Sequence, residues 1–300
     1  MLVLGFMILA ALAPGDHRVT LGERAYIVHV PPGAGAKPLP IVINLHGGGG
    51  NAENQQRYSG MDRVADREHF LVVYPDGTGR LARMLTWNAG TCCGASPLRQ
   101  VDDVGFIRAV IDDVARRTPV DRKRVFATGM SNGAMMSYRL AAEAPDLVRA
   151  IAPVAGSMVL VRFHPTMPVS IMHIHSVDDP RALYNGGLGP PFPMTNSRVE
   201  HPPVEQQLAK WIAYDGCPST PTVERRLAGK QGTPDEGNTA TKLVYAPCKS
   251  GENIVLWKLT GSGHVWPGSS KTLERILGKP THLFDASEEI WKFFSRTKPR

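Results

Sequence analysis

Residues 124–133 read RVFATGMSNG, and this stretch decides the fold. Its first part, Arg124–Gly129, is a short apolar run of the kind that a parallel sheet buries on both faces. The GxSxG pentapeptide centred on Ser131 follows, and a helical pattern begins at Asn132. A strand, a GxSxG turn and a helix in direct succession predict a sharp elbow that lifts the serine hydroxyl above the sheet. The alternative is a serine that caps an ordinary helix.

Strand-like and helix-like segments alternate on both sides of this elbow. The other apolar, strand-like runs are Ile41–Leu45, Phe70–Tyr74, Ile151–Ala155, Val169–His173 and Ile254–Leu259. An alternating pattern at Arg24–Val30 predicts an early antiparallel strand. The helical patterns are Val104–Arg117, Asn132–Glu143, Pro203–Tyr214 and Ala286–Phe294. This alternation indicates parallel βαβ units. We expect one α/β domain over residues 14–300, with a mostly parallel sheet and helices on both faces.

A serine hydroxyl needs a base within hydrogen-bond reach to act as a nucleophile. In α/β-hydrolases the chain order is serine, carboxylate, histidine. His264 fits the last place, because it lies among glycines in a loop after the predicted strand Ile254–Leu259. His173 and His175 precede the candidate carboxylates, so the order disfavours them. Ser131 and His264 are therefore the predicted nucleophile and base.

A run of glycines follows the strand Ile41–Leu45, in the sequence His46-Gly47-Gly48-Gly49-Gly50. Acyl transfer passes through an oxyanion that preorganised backbone N–H groups stabilise by roughly 3–4 kcal/mol each. We expect the N–H groups of Gly48 and Asn132 to form this oxyanion hole. A phosphate-binding loop is the rival interpretation, but neither GxxxxGK[ST] nor GxGxxG occurs here.

Five motifs occur together in order along the chain. They are HGG at 46–48, WNAG at 87–90 with Cys92-Cys93, VDDVGF at 101–106, GMSNG at 129–133 and GHVWPG at 263–268. In these motifs the chain resembles the polyhydroxybutyrate depolymerase-type esterases, which include feruloyl and acetyl-xylan esterases. The resemblance covers roughly Pro14 to Phe294. It implies an α/β-hydrolase fold, secretion, and a serine esterase that needs no cofactor.

The resemblance also selects the carboxylate. The family pattern His-Gly-Thr-x-Asp, laid onto residues 175–179, implies Asp179, with Asp178 as the second choice. The chain departs from that pattern at Ser176 and Val177. It also lacks the usual continuation over residues 179–203, so the substrate class stays open.

Two tryptophans flank the predicted site. Trp266 lies two residues after His264, and Trp87 lies in the WNAG segment. Either could wall a pocket for an acyl or aromatic group, and we place His46 with them as a predicted substrate-binding residue. The alternative is that these side chains belong to the core.

The four cysteines and the N-terminus bear on the compartment. Residues 2–13 form an apolar run ending in Ala-Leu-Ala, which predicts a signal peptide or its remnant over residues 1–13, with a buried N-terminal segment as the alternative. Such a run is too short to span a bilayer. A bridge between Cys217 and Cys248 would suit an exported protein, whereas the pairing of Cys92 and Cys93 stays open. We expect a secreted or periplasmic protein.

The formal net charge of +7 raises the question of a nucleic-acid partner. The basic residues are scattered in ones, twos and threes, and no nucleic-acid motif is present, so a solvated basic surface is the better interpretation. No group of cysteines and histidines has zinc-site spacing, and we expect no metal.

The sequence therefore predicts a secreted serine carboxylic-ester hydrolase. Its expected substrates are polyhydroxyalkanoate oligomers or feruloyl or acetyl esters of plant polysaccharide, with no cofactor, no nucleic-acid partner and no membrane span. The alternatives are a peptidase on the same fold and a catalytically silent module that binds polysaccharide or polymer. The oligomeric state cannot be read from the sequence.

Overall fold

A ten-stranded sheet runs through the part of the chain described by the computed structural model, which comprises residues 12–81, 83–192, 197–270 and 274–299. The strand order is β1-β2-β4-β3-β5-β6-β7-β12-β11-β10, and β8 and β9 form a separate pair. The strands are β1 (Gly15–Leu21), β2 (Arg24–Val30), β3 (Leu39–Leu45), β4 (Leu71–Pro75), β5 (Val120–Met130), β6 (Ala150–Val154), β7 (Ser170–Ser176), β8 (Gly187–Leu188), β9 (Glu200–His201), β10 (Thr222–Ala228), β11 (Thr239–Tyr245) and β12 (Ile254–Thr260).

The six central strands, from β4 to β12 in the sheet order, pair in parallel. The two strands at each end pair antiparallel. The prediction of a mostly parallel sheet is thus confirmed, and so is the antiparallel strand at Arg24–Val30. Each predicted strand coincides with an observed one to within a few residues, because short apolar runs mark strands that helices cover on both faces.

Helices cover both faces of this sheet. They are α1 (Ala52–Ser59), α2 (Met61–Glu68), α3 (Ala95–Leu98), α4 (Asp103–Arg117), α5 (Asn132–Glu143), α6 (Val204–Asp215), α7 (Glu274–Leu277) and α8 (Ala286–Arg296). Side chains of α4, α5 and α6 share one buried cluster, while those of α1, α2 and α8 share another. Successive residues of β3 alternate between the clusters: Ile41 and Ile43 lie in the first and Val42 in the second.

Nine of the described elements were not predicted from the sequence, namely β1, β8, β9, β10, β11, α1, α2, α3 and α7. Helices α1 and α2 are short and polar, and Gly60, in the left-handed region at φ 58°, separates them. Strands β10 and β11 lie in the hydrophilic stretch between Cys217 and Cys248. All but one residue of β10 is exposed at the sheet edge, so this strand carries no apolar alternation.

Two disulfides join cysteines in the structure. Cys217 pairs with Cys248, as the sequence suggested, and Cys92 pairs with its neighbour Cys93. The predicted signal segment lies, apart from its last two residues, outside the described residues. Within the described ranges, no helix is both long and apolar enough to cross a membrane.

Candidate active site

Ser131 occupies the turn between β5 and α5. Its backbone has φ 56° and ψ −116°, a conformation that residues with a side chain rarely adopt. The flanking glycines permit the close approach of β3 to this turn: a Cβ on Gly133 would lie 2.2 Å from the Leu45 carbonyl oxygen, and one on Gly129 would lie 2.6 Å from the same atom. The strand, turn and helix therefore have the geometry of a nucleophile elbow.

The sheet order brings Asp179 and His264 together. Strands β7 and β12 are parallel neighbours, so the loops that follow them start at the same edge of the sheet. His264 Nδ1 lies 2.7 Å from Asp179 Oδ2. Both side chains are buried, at 3% and 5% residual exposure respectively for Asp179 and His264.

The Asp179 carboxylate is held from several sides. Its Oδ1 accepts hydrogen bonds from the backbone N–H groups of Arg181 and Ala182, at 2.7 and 2.9 Å. Its Oδ2 also lies 3.0 Å from His175 Nε2. Burial by itself would raise the pKa of Asp179, but the nearby His264 and His175 outweigh burial and lower it well below its ordinary value.

Asp178 points elsewhere. Its Oδ2 accepts a hydrogen bond from the Gly261 backbone N–H at 2.7 Å. Asp178 thus ties the loop after β7 to the loop that carries His264. The two aspartates that the sequence left as alternatives have different partners.

A small cavity of about 120 Å³ opens beside Ser131. Ser131 and His264 both line it, as do the predicted oxyanion residues Gly48 and Asn132. The described residues show no direct hydrogen bond between Ser131 and His264. Such catalytic contacts are often long in unliganded enzymes and shorten when substrate binds.

The backbone N–H groups of Gly48 and Asn132 donate no hydrogen bond within the described part of the chain, so both are available to a ligand in the cavity. The Asn132 side chain fixes this region: its Oδ1 accepts from the Trp87 N–H at 2.7 Å, and its Nδ2 donates to the Trp87 carbonyl at 3.1 Å. The ring of Phe192 covers Gly48, where a Cβ would approach it to 2.6 Å.

The three predicted substrate-binding side chains are buried and do not line the cavity. His46 Nε2 accepts the Gly77 N–H at 2.9 Å, and burial lowers the pKa of His46 to about 4. Trp87 Nε1 donates to the His46 carbonyl at 2.9 Å. Trp266 Nε1 donates to Ser287 Oγ at 3.2 Å. The exposure of each is 1% or less, which leaves no surface for a substrate and supports the core alternative.

Other residues line the cavity that sequence reasoning did not identify. They are Cys92, Cys93, Met135, Arg181, Ala182, Pro190, Phe192, Val199, His201, Ile276 and Leu277. Most belong to segments without a strand or helix pattern, so nothing local pointed to them. The irregular stretch 183–203, which contributes Pro190, Phe192, Val199 and His201, was nevertheless conspicuous by its length.

One group of side chains in the described residues could in principle hold a metal ion. Ligand atoms of Asp16, His29 and Asp62 lie within 4.8 Å of one another. Both ring nitrogens of His29 already contact carboxylates, at 2.6 Å from Asp16 and 2.8 Å from Asp66. The group is formed by β1, β2 and α2, and its residues do not line the cavity beside Ser131.

Residues 24–190 match the protein family described as Esterase PHB depolymerase. The chain belongs to this family of esterases. Among curated relatives it is 33% identical to the putative esterase NocK of Nocardia uniformis subsp. tsuyamanensis over 254 residues, covering 82% of the chain and 72% of that protein. It is 30% identical to feruloyl esterase B of Piromyces equi over 253 residues, covering 80% of the chain but only 42% of that longer protein. The expectations of an esterase and of this family are confirmed.

Solved structures share the fold. The acetyl xylan esterase of Aspergillus awamori superposes with a TM-score of 0.59 at 16% identity, over 94% of this chain and 99% of that one. The native structure of pOPH superposes with a TM-score of 0.52 at 14% identity, over 96% and 92% of the two chains. The α/β-hydrolase fold predicted from the sequence is thus confirmed.

Proposed function

We propose that the chain is a serine carboxylic-ester hydrolase in which Ser131 is the nucleophile, His264 the base and Asp179 the residue that orients the base. The observation that carries this proposal is the contact of Asp179 with His264, at the rim of the same cavity that the Ser131 elbow enters. Membership of the esterase family supports the reaction type.

In the first half-reaction, Ser131 Oγ attacks the ester carbonyl carbon and its proton passes to His264 Nε2. The Asp179 carboxylate holds the Nδ1–H of His264 and stabilises the imidazolium that forms. The Gly48 and Asn132 N–H groups receive the oxyanion. His264 then protonates the leaving alcohol, which departs from the acyl-enzyme.

In the second half-reaction, water attacks the acyl-enzyme while His264 again takes the proton. The resulting tetrahedral oxyanion is held by the same two N–H groups. Its collapse releases the acid and returns the proton to Ser131.

The size of the cavity favours a small acyl group. Pockets that enclose drug-sized ligands measure roughly 300–1,000 Å³, whereas this cavity measures about 120 Å³. Of the substrate classes raised by the sequence, acetyl and hydroxybutyryl esters fit this space better than feruloyl esters, because the ring of Phe192 limits it on one side.

The disulfide between Cys217 and Cys248 supports export to an oxidising compartment. Expression of the full chain with a C-terminal tag, followed by N-terminal sequencing of the protein recovered outside the cytoplasm, tests this. Cleavage near residue 13 would agree with the proposal, and recovery of the intact chain from the cytoplasm alone would contradict it.

Labelling with a fluorophosphonate and hydrolysis of p-nitrophenyl acetate test the mechanism. We expect the wild type to react with both reagents and Ser131→Ala to react with neither, while Ser157→Ala, which removes another buried serine, keeps both activities. A panel of acetylated xylan, hydroxybutyrate oligomers, methyl ferulate and a peptide amide then separates the esterase from a peptidase. A wild-type protein that reacts with nothing would instead indicate a silent binding module.

A further inference from the structure

We propose that His175 is a positioning residue for the triad, oriented by a buried chain of hydrogen bonds that begins at Tyr138 and passes through His173 to Asp179. This inference rests on the proposed function, because it assigns a role in the same reaction. Sequence order disfavours His173 and His175 as the base and assigns them no other role.

The contacts form an unbroken line from the core to the triad. Tyr138 Oη of α5 lies 2.9 Å from His173 Nδ1. His173 Nε2 lies 3.0 Å from His175 Nδ1. His175 Nε2 in turn lies 3.0 Å from Asp179 Oδ2 and 2.8 Å from the Ala182 carbonyl oxygen.

The acceptors at the Asp179 end of this line set the direction of its hydrogen bonds. The Asp179 carboxylate and the Ala182 carbonyl can only accept, so His175 Nε2 carries a hydrogen and donates. With that hydrogen on Nε2, His175 Nδ1 accepts, and His173 Nε2 donates to it. His173 Nδ1 is left to accept the hydroxyl hydrogen of Tyr138. Burial lowers the pKa of His173 well below its ordinary value, which agrees with an uncharged ring.

The line is fully enclosed. The residues Tyr138, His173 and His175 are each exposed by 1% or less, and none of the three lines the cavity beside Ser131. His175 therefore cannot meet a substrate, and it acts on the reaction only through the groups that it contacts, Asp179 above all and the Ala182 carbonyl. Because His173 and His175 sit two residues apart on β7, their side chains lie on one face of the sheet, against α5.

His175 affects the reaction because two histidines share the same oxygen, Asp179 Oδ2. His175 donates to the oxygen that also holds His264 Nδ1. The second donor fixes the carboxylate rotamer and takes up part of its negative charge. Other titratable groups near Asp179 and His175 are Asp178 and Arg181 on the same loop, Tyr184, whose ring packs against His175, His201 of β9 and Tyr58 of α1.

Removal of the His175 N–H should have two effects. A carboxylate with one donor fewer attracts the imidazolium form of His264 more strongly, so the acidic limb of the kcat/KM profile should move to higher pH, by about 0.5–1 unit. A less constrained carboxylate should also lower kcat about tenfold, with KM unchanged because Asp179 does not touch the substrate.

Two variants test this by their pH profiles on p-nitrophenyl acetate. In His175→Leu we expect both effects. His175→Gln, whose amide can again donate toward Asp179, should recover much of the wild-type profile. His29→Gln, which alters a buried histidine far from the triad, should change stability without moving the acidic limb. The proposal would be overturned if His175→Leu folds and the acidic limb of its kcat/KM profile lies at the same pH as in the wild type.

Tyr138→Phe tests the chain as a whole and keeps the proposal falsifiable if His175→Leu does not fold. Without the hydroxyl, the buried Nδ1 of His173 loses its partner, so the ring that holds His175 in place is less firmly oriented. The acidic limb of the profile should then shift the same way by a smaller amount. In a folded double variant, Tyr138→Phe should add nothing to His175→Leu. The line does not act as a unit if the pH profile of Tyr138→Phe is identical to that of the wild type. The same follows if the effects of Tyr138→Phe and His175→Leu add in the double variant. Fluorophosphonate labelling of wild-type Ser131 separates these outcomes from failure of the proposed function.

Discussion

His264 Nδ1 lies 2.7 Å from Asp179 Oδ2, although 85 positions separate the two residues in the chain. The adjacent Asp178 instead accepts the backbone N–H of Gly261. The two adjacent carboxylates therefore have different roles. Asp179 contacts the candidate catalytic histidine, whereas Asp178 links the loop after β7 to the loop that carries His264.

This difference predicts unequal effects of two matched substitutions. Asp179→Asn should lower kcat by about 10⁴, because an amide holds His264 in the wrong tautomer and cannot stabilise the imidazolium. Asp178→Asn should stay within about tenfold of wild type, since an amide oxygen can still accept from Gly261. Initial rates on p-nitrophenyl acetate measure both, and equal losses in the two variants would contradict the assignment.

The ring of Phe192 should set acyl-chain preference. Phe192→Ala enlarges the cavity over Gly48, so we expect the ratio of kcat/KM for p-nitrophenyl octanoate over acetate to rise by about tenfold or more. The control is Phe163→Ala, whose ring packs against Trp211 and Tyr214 and does not line the cavity. An equal rise of this ratio in both variants would contradict the assignment of Phe192 to the acyl-binding cavity.

Trp266 should matter for stability and not for substrate choice. Trp266→Phe loses the hydrogen bond to Ser287 Oγ, at a cost of about 1 kcal/mol in the free energy of unfolding. The matched variant Trp257→Phe should cost less, because the buried Trp257 Nε1 has no partner among the described residues. Urea unfolding measures both. The relative kcat/KM over several acyl esters should stay unchanged. If a fully stable Trp266→Phe shows an altered acyl preference, Trp266 contributes to substrate binding after all.

His29 should make stability depend on pH. Burial lowers the pKa of His29, but the carboxylates of Asp62, Asp16 and Asp66 outweigh burial and raise it above its ordinary value. Its contribution to stability is therefore complete below about pH 6.5 and is lost as the pH rises through the higher value in the folded state.

The measurement is the difference in Tm between wild type and His29→Gln from pH 6 to 9. We expect this difference to be larger at pH 6 than at pH 9, by about 2 °C or more. The matched control is His17→Gln, which changes a half-buried histidine of the neighbouring strand β1 whose ring contacts the Ala13 carbonyl. A difference that stays constant over this range would refute the assignment.

The sequence by itself determined the strand, turn and helix around Ser131 and the six central parallel strands of the sheet. Elements such as β5, Ser131 and α5 are adjacent in the chain, and their apolar runs and glycine spacing are local properties that can be read without knowing any distant contact. The same holds for α5 itself, whose bounds, Asn132–Glu143, are those that the sequence predicts.

Only the tertiary structure decided which side chains meet. Asp179 contacts His264 because β7 and β12 are neighbours in the sheet, and the sequence does not state strand order. His46, Trp87 and Trp266 lie in the motifs that point to the site, yet they are buried and do not line its cavity, while Phe192 from an irregular loop covers Gly48. Local sequence patterns indicate which side chains of a segment are buried, whereas contacts between loops depend on how the strands of the whole sheet are arranged.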